Sequence, residues 1–378
     1  MKNLILKSAL VASLILAVTS CSKDDGGSTN LTDPVAIQLA ALKKVEFPQE
    51  ASKIVPTTGS WKTVGNYELI TERKQVLMNP MQLVDETNRD IIYPGSVLRG
   101  SSFLEGKYDP LIISNPKEIT FSTSLQGKGL DVKKQAFPTV SDVRQKINDL
   151  IKDNNEKIDY KNAPTYLKYA SESVGSISSF NKTFHLHVGV DVLAKLVEVQ
   201  FNYDPSEFRI NGKSYVLLKL YQPLYNITVD PKEASQWGEL KDVGDTEPVY
   251  VSSVEYGRAA YLLVETERSA SEVVDYFNAS VSVDVVKVVD VDIDGSRRKV
   301  VKDWFTKGKI SVVALGGPIG HSNKIDNYDS FISFLKDPNP ESLINSAAAI
   351  SYKVRTLKDN KEVEVRGLVF DEYFKEKK

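Results

Sequence analysis

The chain has 378 residues, of which 41% are hydrophobic and 26% charged, enough for a sizeable core and two or three domains. Its 48 Lys and Arg residues nearly balance its 50 Asp and Glu residues, and the formal net charge of −2 gives no reason to expect a nucleic-acid partner. The single cysteine excludes an internal disulfide and a metal site built from several thiolates.

The N-terminus has the pattern of a bacterial lipoprotein signal. A basic start at residues 1–7 precedes an apolar core, Ala9–Val18, that is too short to span a membrane as a helix. The sequence Val18-Thr-Ser-Cys21 resembles a lipobox and predicts lipidation of Cys21; the alternative is an ordinary secretion signal with an incidental cysteine. Acyl chains on Cys21 would anchor the mature protein to a membrane.

A polar, Gly- and Ser-containing stretch without periodicity follows and predicts a flexible tether at 22–33. Lys23-Asp-Asp25 resembles the acidic export tags of some bacterial lipoproteins. The predicted location is therefore the outer membrane, facing the cell surface, and release toward target membranes is left open.

Helical and β-rich runs are mixed along the rest of the chain, which favours the α+β class. Apolar residues at three- or four-residue spacing predict helices at Ala36–Lys44, Thr139–Asn155, Ser269–Phe277 and Asp329–Lys336.

The β-rich segments include Gly212–Asp230, whose Tyr and Leu residues suggest a half-buried strand. Val249–Val254 and Ala260–Thr266 are joined by Glu255-Tyr-Gly-Arg258, whose glycine suits a bulge or bend. A strong strand, Ile310–Leu315, ends at a glycine pair.

The segment 183–203 alternates between apolar and polar residues, with a break at 193–196. Its apolar register is Phe184, Leu186, Val188, Val190, Val192, Val197, Val199 and Phe201. Leu186, Val190, Leu193, Val197 and Phe201 also lie at helical spacing, so an apolar stripe forms in either conformation. The sequence is compatible with storage as helix and deployment as strand.

A second alternating segment has the apolar register Val281, Val283, Val285, Val289, Val291 and Ile293, interrupted by Lys287. Both segments reach the 9–11 residues with which a tilted strand crosses a membrane, although a strand in a soluble sheet alternates in the same way. Lys287 speaks against the membrane interpretation, because a lysine facing lipid at the bilayer midplane costs about 2–4 kcal/mol.

Four fragments occur in the same order as in the cholesterol-dependent, or thiol-activated, cytolysins, a family of bacterial pore-forming proteins that this chain resembles. They are Tyr93-Pro-Gly95, Pro248–Thr266, Ser311–Gly317 and Ile350–Asn360. The resemblance implies an α+β fold with an elongated, twisted antiparallel central sheet flanked by helical clusters. It also implies two membrane-inserting hairpin regions, Ser176–Phe208 and Ser271–Asp303, that are helical in the soluble protein.

The same resemblance implies three domains. The body domain would comprise 34–52, 82–165, 217–257 and 339–361; the pore-forming domain 166–216 and 258–338; and an elongated β linking domain 53–81 and 362–378. The last strand of the family resembles Val363–Phe374, and no counterpart of the C-terminal β-sandwich with its cholesterol-recognition residues follows it. The chain is therefore expected to be a short, cytolysin-like member that binds cholesterol poorly.

Two further roles are implied by the resemblance. Gly316 and Gly317 would let a short covering strand swing away and free the sheet edge for the next subunit; a plain turn is the alternative. Tyr169 would align subunits by stacking on an aromatic residue, but Ile310 stands where the family tends to have that residue, which puts the stacking in doubt.

Other candidate sites are weaker. Asp290–Gly295 opens like an EF-hand loop, but Val301 stands where the bidentate Glu is needed. His185 and His187 lack a third ligand nearby. No catalytic constellation stands out, so neither an enzyme nor a metal or other cofactor is expected.

Two functions remain open. The first is a pore-forming surface lipoprotein whose partners are a lipid membrane and either copies of itself in a ring or a longer cytolysin-like relative in a two-part toxin. The second is a non-lytic, lipid-tethered binding or structural protein that retains the fold.

Overall fold

The computed structural model describes residues 33–56, 63–64, 66–83, 88–160, 168–174, 177–188, 190–201, 214–285, 295–317, 325–335 and 339–377. The helices in these ranges are α1 (Pro34–Ala40), α2 (Gly100–Leu104), α3 (Val140–Asp153), α4 (Ile177–Phe184), α5 (Val190–Phe201), α6 (Ala270–Val285), α7 (Gly295–Thr306), α8 (Tyr328–Leu335) and α9 (Pro340–Asn345). The strands are β1 (Lys53–Val55), β2 (Thr63–Val64), β3 (Tyr67–Leu77), β4 (Met81–Gln82), β5 (Val97–Leu98), β6 (Ile113–Ser114), β7 (Ile119–Thr123), β8 (Lys133–Ala136), β9 (Lys168–Val174), β10 (Ser214–Val229), β11 (Glu239–Leu240), β12 (Val249–Thr266), β13 (Ile310–Leu315), β14 (Ala348–Thr356) and β15 (Arg366–Glu376).

A large antiparallel sheet lies at the centre of the fold, which confirms the α+β class. The order along its main path is β4-β14-β12-β10-β7-β8, with β5 and β13 also paired to β12 and β9 also paired to β10. The longest members, β10 and β12, pair from Ser214↔Thr266 to Thr228↔Ser253. Toward one end this pair is flanked by β9 and β13, and toward the other by β7 and β14.

The runs Val249–Val254 and Ala260–Thr266 belong to one continuous strand, β12. An irregularity is present there, but the extra residues are on the partner strands: the pairing with β14 shifts between Glu255 and Tyr256, and the pairing with β10 shifts between Pro223 and Tyr225. A Cβ on Gly257 would lie 2.1 Å from the Gln222 carbonyl oxygen of β10. The glycine is therefore required by the close approach of two backbones within the sheet, not by a turn.

β10 is more deeply covered than the half-buried strand expected for Gly212–Asp230. Leu217 and Tyr221 pack with α4 and α5 on one face of the sheet. Leu218 and Leu220 pack with α6, α7 and α8 on the other face. Helices therefore cover both faces of this end of the sheet, and the expectation of one solvated face was wrong.

A smaller sheet contains β1, β2, β3 and β15, with β3 at its centre. β3 and β15 pair over eleven residues, from Tyr67↔Glu376 to Leu77↔Arg366. These strands fall within 53–81 and 362–378, the segments predicted as a linking domain. The division into three domains itself stays a prediction.

The helix boundaries depart most from the predicted ones at α1 and α6, and α1 ends at Ala40, four residues before the predicted Lys44. α1 begins earlier than expected because the Asp33 carboxylate caps it by accepting from the Val35 and Ala36 amides, with Pro34 in the first turn. α6 continues eight residues beyond the predicted end at Phe277. Its added turns contain Val281, Val283 and Val285, whose alternation favoured a strand on sequence alone.

Candidate functional site

The first predicted inserting region, 176–208, contains two helices, α4 and α5. α4 follows β9 along the chain, and β10 follows α5. β9 and β10 are hydrogen-bonded neighbours, paired from Val174↔Tyr215 to Lys168↔Tyr221. The helical region is therefore inserted between two adjacent antiparallel strands.

The apolar stripe at helical spacing is buried against the sheet. Phe184, Leu186, Leu193, Val197 and Phe201 all belong to one core cluster with Leu217, Tyr261 and Leu263. Val188 is partly buried beside it. Val190 and Val192 lie in α5, but their side chains lie outside the description. The predicted helical storage of this region is present in the structure.

Aromatic rings join the two helices to the sheet. The Phe184 ring lies 5.8 Å from Phe201 in a stacked arrangement, 5.5 Å from Phe180, and 4.9 Å from Tyr261 at a right angle. Such pairs contribute about 0.5–1.5 kcal/mol each beyond the area that they bury. Phe184 is therefore the central contact between α4, α5 and β12.

Val199 is the exception on α5, because 69% of its surface is exposed. Its neighbours in the strand register, Val197 and Phe201, are buried. In a helix Val197 and Phe201 share one face and Val199 lies on another, but in a strand all three share one face. Val199 therefore contributes little to the soluble fold and fits the apolar face of a strand.

The connector between α4 and α5 is fastened to the body by its two histidines. The Tyr108 hydroxyl donates to the His187 carbonyl, and His187 Nε2 donates to the Phe103 carbonyl. The His187 ring also lies 4.7 Å from Phe103 and 5.3 Å from Phe47. The Gln82 amide donates to the His185 carbonyl over 3.1 Å. Burial lowers the pKa of both histidines, so the docked connector favours neutral imidazoles.

Lys182 ties α4 to both sheets. Its ammonium lies 3.1 Å from the Glu172 carboxylate of β9 and pairs with Asp371 of β15, which also pairs with Lys74. Burial alone would raise the pKa of Asp371, but the hydrogen bonds from Lys182 and Lys74 outweigh it and hold that pKa below its usual value. α4 is therefore bound at its surface by an ion-pair network as well as by its apolar stripe.

The second predicted inserting region, 271–303, contains α6 and α7 on the opposite face of the sheet. α6 follows β12, and β13 follows α7, and these strands pair from Ala259↔Leu315 to Val264↔Ile310. Phe277 of α6 stacks on Trp304 of α7 at 6.1 Å. This region, too, is inserted between two neighbouring antiparallel strands.

The candidate strand register of this second region is only partly described. Val281, Val283 and Val285 lie in α6, but their side chains lie outside the description. Val289, Val291, Ile293 and Lys287 lie outside the described residues, as do 290–294 of the EF-hand-like sequence.

Tyr169 and Ile310 lie on opposite edges of the sheet. Among the described strands, β9 pairs only with β10 and β13 only with β12. Both side chains are partly buried against the cluster of α6, α7 and α8. The register places Tyr169 across from Leu220, whereas Ile310 lies across from Val264 at a different level of the sheet. A contact between Tyr169 and Ile310 would therefore need two chains.

The glycine pair has a conformation that other residues rarely adopt. Gly316 has φ +69° and Gly317 has φ +85°. A Cβ on Gly316 would lie 2.3 Å from the Gly257 carbonyl oxygen, so the chain passes directly over the backbone of β12 at Gly257. The covering strand expected to follow this pair falls on 318–324, outside the described residues.

Arg258 lies beside the glycine pair and forms hydrogen bonds with the C-terminal end of α8. Its guanidinium donates to the Gln222 side chain over 2.6 Å, to the Leu335 carbonyl over 2.7 Å, and to the Phe334 carbonyl. Only 4% of Arg258 is exposed. A cation at a helix C-terminus is favourable because it faces the negative end of the helix dipole.

No cluster of three or more His, Cys, Asp or Glu side chains able to hold a metal ion occurs among the described residues. The helices in the described part of the chain are all too short or too polar to cross a membrane.

Comparison with known proteins identifies the family. The family model described as thiol-activated cytolysin matches residues 43–369. The chain belongs to the thiol-activated cytolysin family. The resemblance noted from the four sequence fragments is confirmed.

Several cytolysins are similar over most of the chain. Perfringolysin O of Clostridium perfringens is 29% identical over a 384-residue alignment that covers 94% of this chain and 73% of the relative. Tetanolysin of Clostridium tetani is 28% identical, covering 82% of this chain and 59% of the relative. Crystal structures of listeriolysin O and of a non-hemolytic pneumolysin from Streptococcus pneumoniae superpose with TM-scores of 0.60 and 0.62. They are 21% and 19% identical, and the superpositions cover 91% and 90% of this chain and 74% of each of those chains.

Sequence reasoning missed three contacts of this cytolysin site. Arg258 is the only basic residue of β12 and directly precedes the apolar run Ala259–Val264, which is a signal that could have marked it. The pairing of Lys182 with Asp371 joins distant parts of the chain and leaves no local signal. The Lys219 ammonium, 3.5 Å from the Thr183 carbonyl, is likewise visible only after folding.

Proposed function

We propose that this protein is a bacterial surface lipoprotein that oligomerises and permeabilises a target membrane by refolding 176–208 and 271–303 into membrane-spanning β-hairpins. One observation carries the proposal. Each of the two helical regions interrupts a pair of adjacent, hydrogen-bonded antiparallel strands, β9 with β10 and β12 with β13. Unfolding either region into strands would lengthen an existing hairpin without changing the order of the sheet.

The lengthened strands have the composition that a bilayer requires. A spanning strand needs one apolar face toward lipid and needs neighbours that satisfy its backbone. The register of Val197, Val199 and Phe201 supplies the apolar face, with Glu198 and Gln200 on the other. Val199 is exposed in the soluble helix, and its apolar side chain would contact lipid in the inserted strand, which explains why an apolar residue stands at this position.

The sheet edges support assembly. β9, β10, β12 and β13 run alternately up and down, so β9 of one subunit beside β13 of the next continues the antiparallel order. This contact is heterologous, and repetition of a heterologous contact closes into a ring when the rotation allows it. The neighbour is a second copy of this chain or a longer cytolysin-like relative.

Cys21 supplies the membrane attachment in this proposal. It follows a basic start and a short apolar core, and residues 22–33 provide the tether. A Cys21→Ala form expressed in the native host should lose radiolabelled acyl incorporation and leave the membrane fraction. Retention of the label or of membrane association in Cys21→Ala would remove the lipoprotein part of the proposal and leave pore formation untouched.

The pore-forming part is tested by single cysteines carrying a polarity-sensitive dye in a Cys21→Ala background. Val199→Cys should report water in the soluble protein and an apolar environment after addition of membranes. Glu198→Cys and Gln200→Cys are matched controls, because both positions are exposed on α5 and would face the lumen in a hairpin.

The membranes should be phosphatidylcholine liposomes with and without cholesterol, and liposomes of bacterial total lipid. An apolar shift at 199 with none at 198 and 200 supports the hairpin. Equal signals at all three positions, or no shift in any membrane with or without a longer relative, would favour the non-lytic alternative.

A further inference from the structure

The centre of the sheet face beneath α4 and α5 contains a buried hydroxyl. Tyr261 is 0% exposed, and its ring packs edge-on against Phe184. Among the described residues its hydroxyl oxygen has no hydrogen-bond partner. Burial also raises the pKa of this phenol, so the group is a neutral and uncompensated polar atom in an apolar cluster.

Two other fully buried tyrosines, Tyr250 and Tyr352, do have a partner for their hydroxyls. Tyr250, also 0% exposed and on the same strand, donates to the Asn360 side chain over 2.9 Å. Tyr352 donates to the Tyr108 hydroxyl over 2.8 Å. Native folds normally satisfy buried hydroxyls, so an exception at the interface of a proposed moving part calls for a physical explanation.

The same cross-strand row contains a second polar group. Lys219 is the residue opposite Tyr261 on β10. Burial lowers the pKa of Lys219 to about 8, even though the Glu255 carboxylate acts in the opposite direction. Its ammonium donates to the Thr183 carbonyl of α4 over 3.5 Å, a long hydrogen bond. One row of the sheet therefore places a hydroxyl and an ammonium under helices that otherwise cover apolar residues.

We propose that Tyr261 is a positioning residue of the conformational change, whose unpaired hydroxyl raises the free energy of the docked α4–α5 pair and so eases its release. The penalty exists only while the helices exclude water from the hydroxyl, because an exposed phenol is hydrogen-bonded by solvent. Release therefore removes the penalty. The inference rests on the proposed release of α4 and α5, but its first consequence is measurable in the soluble protein alone.

The test compares Tyr261→Phe with Tyr250→Phe in the full chain. Tyr261→Phe keeps the ring against Phe184 and deletes only the unpaired oxygen. It should slow amide hydrogen exchange in α4 and α5 by about 5- to 150-fold and leave α6 and α7 unchanged. Tyr250→Phe deletes a bonded hydroxyl on the same strand, so it should lower the melting temperature without slowing exchange in α4 or α5.

A second measurement follows release itself. Dye efflux from liposomes should begin after a longer lag with Tyr261→Phe than with the parent chain. If exchange slows as expected but the parent chain releases no dye, the inference holds and the proposed pore formation fails. If Tyr261→Phe lowers the melting temperature, or leaves exchange in α4 and α5 unchanged, the hydroxyl is satisfied and the inference is overturned.

Discussion

Val199 is exposed to water in the soluble protein and would face lipid in the proposed inserted state. Val199→Lys should therefore affect insertion and leave the soluble fold unchanged. In the soluble protein the side chain is 69% exposed on α5, so a lysine there reaches water without displacing a core residue. Lysine is also a slightly better helix former than valine. The expected change in the free energy of unfolding is within about 0.5 kcal/mol, the usual range for such a surface position.

In the inserted hairpin the same lysine would face lipid between Val197 and Phe201. A lysine on the lipid face costs about 2–4 kcal/mol at the bilayer midplane. This corresponds to a roughly 30- to 1000-fold weaker insertion for each subunit, since 1.4 kcal/mol is a factor of ten. Every subunit of a ring would carry the penalty, so permeabilisation should be lost while the fold is kept.

The assay combines thermal unfolding with release of an entrapped dye from liposomes that the parent chain permeabilises. Gln200→Lys is the matched control, because it adds the same charge one residue away on the register expected to face the lumen. We expect both variants to melt with the parent chain, Gln200→Lys to release dye, and Val199→Lys to release none. Parental dye release by Val199→Lys would refute the assigned register, and a large drop in its melting temperature would refute the exposed position on α5.

Two further predictions concern residues that hold the site together, Gly316 and His187. Gly316→Val should lower the free energy of unfolding, measured in denaturant, by more than the about 1–3 kcal/mol that left-handed backbone strain costs, because its Cβ would meet the Gly257 carbonyl oxygen at 2.3 Å. The control Gly308→Ala, with φ +64° and open space around it, should cost only that strain. Equal losses for the two variants would contradict the close approach at Gly316. Burial holds the pKa of His187 below its ordinary 6.5, so its contribution to stability is complete above pH 6.5 and is lost as the pH falls through 6.5 toward the lower folded pKa. Melting temperatures should therefore fall as the pH is lowered through that window. His187→Gln should reduce the slope of the free energy of unfolding against pH by at most about 1.4 kcal/mol per pH unit. An unchanged slope would show that His187 is not the titrating group.

The residues of the first region left helix and strand open, because an apolar stripe forms in both periods, and the family resemblance implied the helices that the structure contains. Leu193, Val197 and Phe201 lie at helical spacing, and all three are buried. The strand Ile310–Leu315 is also present with the predicted bounds. Where one layer covers an element, the buried residues recur with the period of that element, so their spacing in the sequence marks the buried face.

Elsewhere local periodicity could not reveal what tertiary contacts decide. The alternation of Val281, Val283 and Val285 favoured a strand, yet α6 continues through them because the helix is part of a packed layer on the sheet. The ion pair of Lys182 with Asp371 and the docking of His187 against Phe103 join segments far apart in the chain. Such contacts depend on the assembled fold, so no pattern within either segment predicts them.

The magnitudes explain why a small polar penalty can adjust the release of α4 and α5 without triggering it. Full burial of one Val, Leu or Phe side chain stabilises by about 1.5–3 kcal/mol, so the five buried stripe residues of this region contribute on the order of 7–15 kcal/mol to docking. The unpaired Tyr261 hydroxyl opposes this by only about 1–3 kcal/mol. In the proposed mechanism the helices stay docked in water, and an apolar environment that accepts the same side chains drives their release. Under that proposal a bilayer would bury Phe184 and the stripe residues Leu186, Val197 and Phe201 a second time, since all four also belong to the strand register, and the exposed Val199 would gain burial that the soluble fold does not give it.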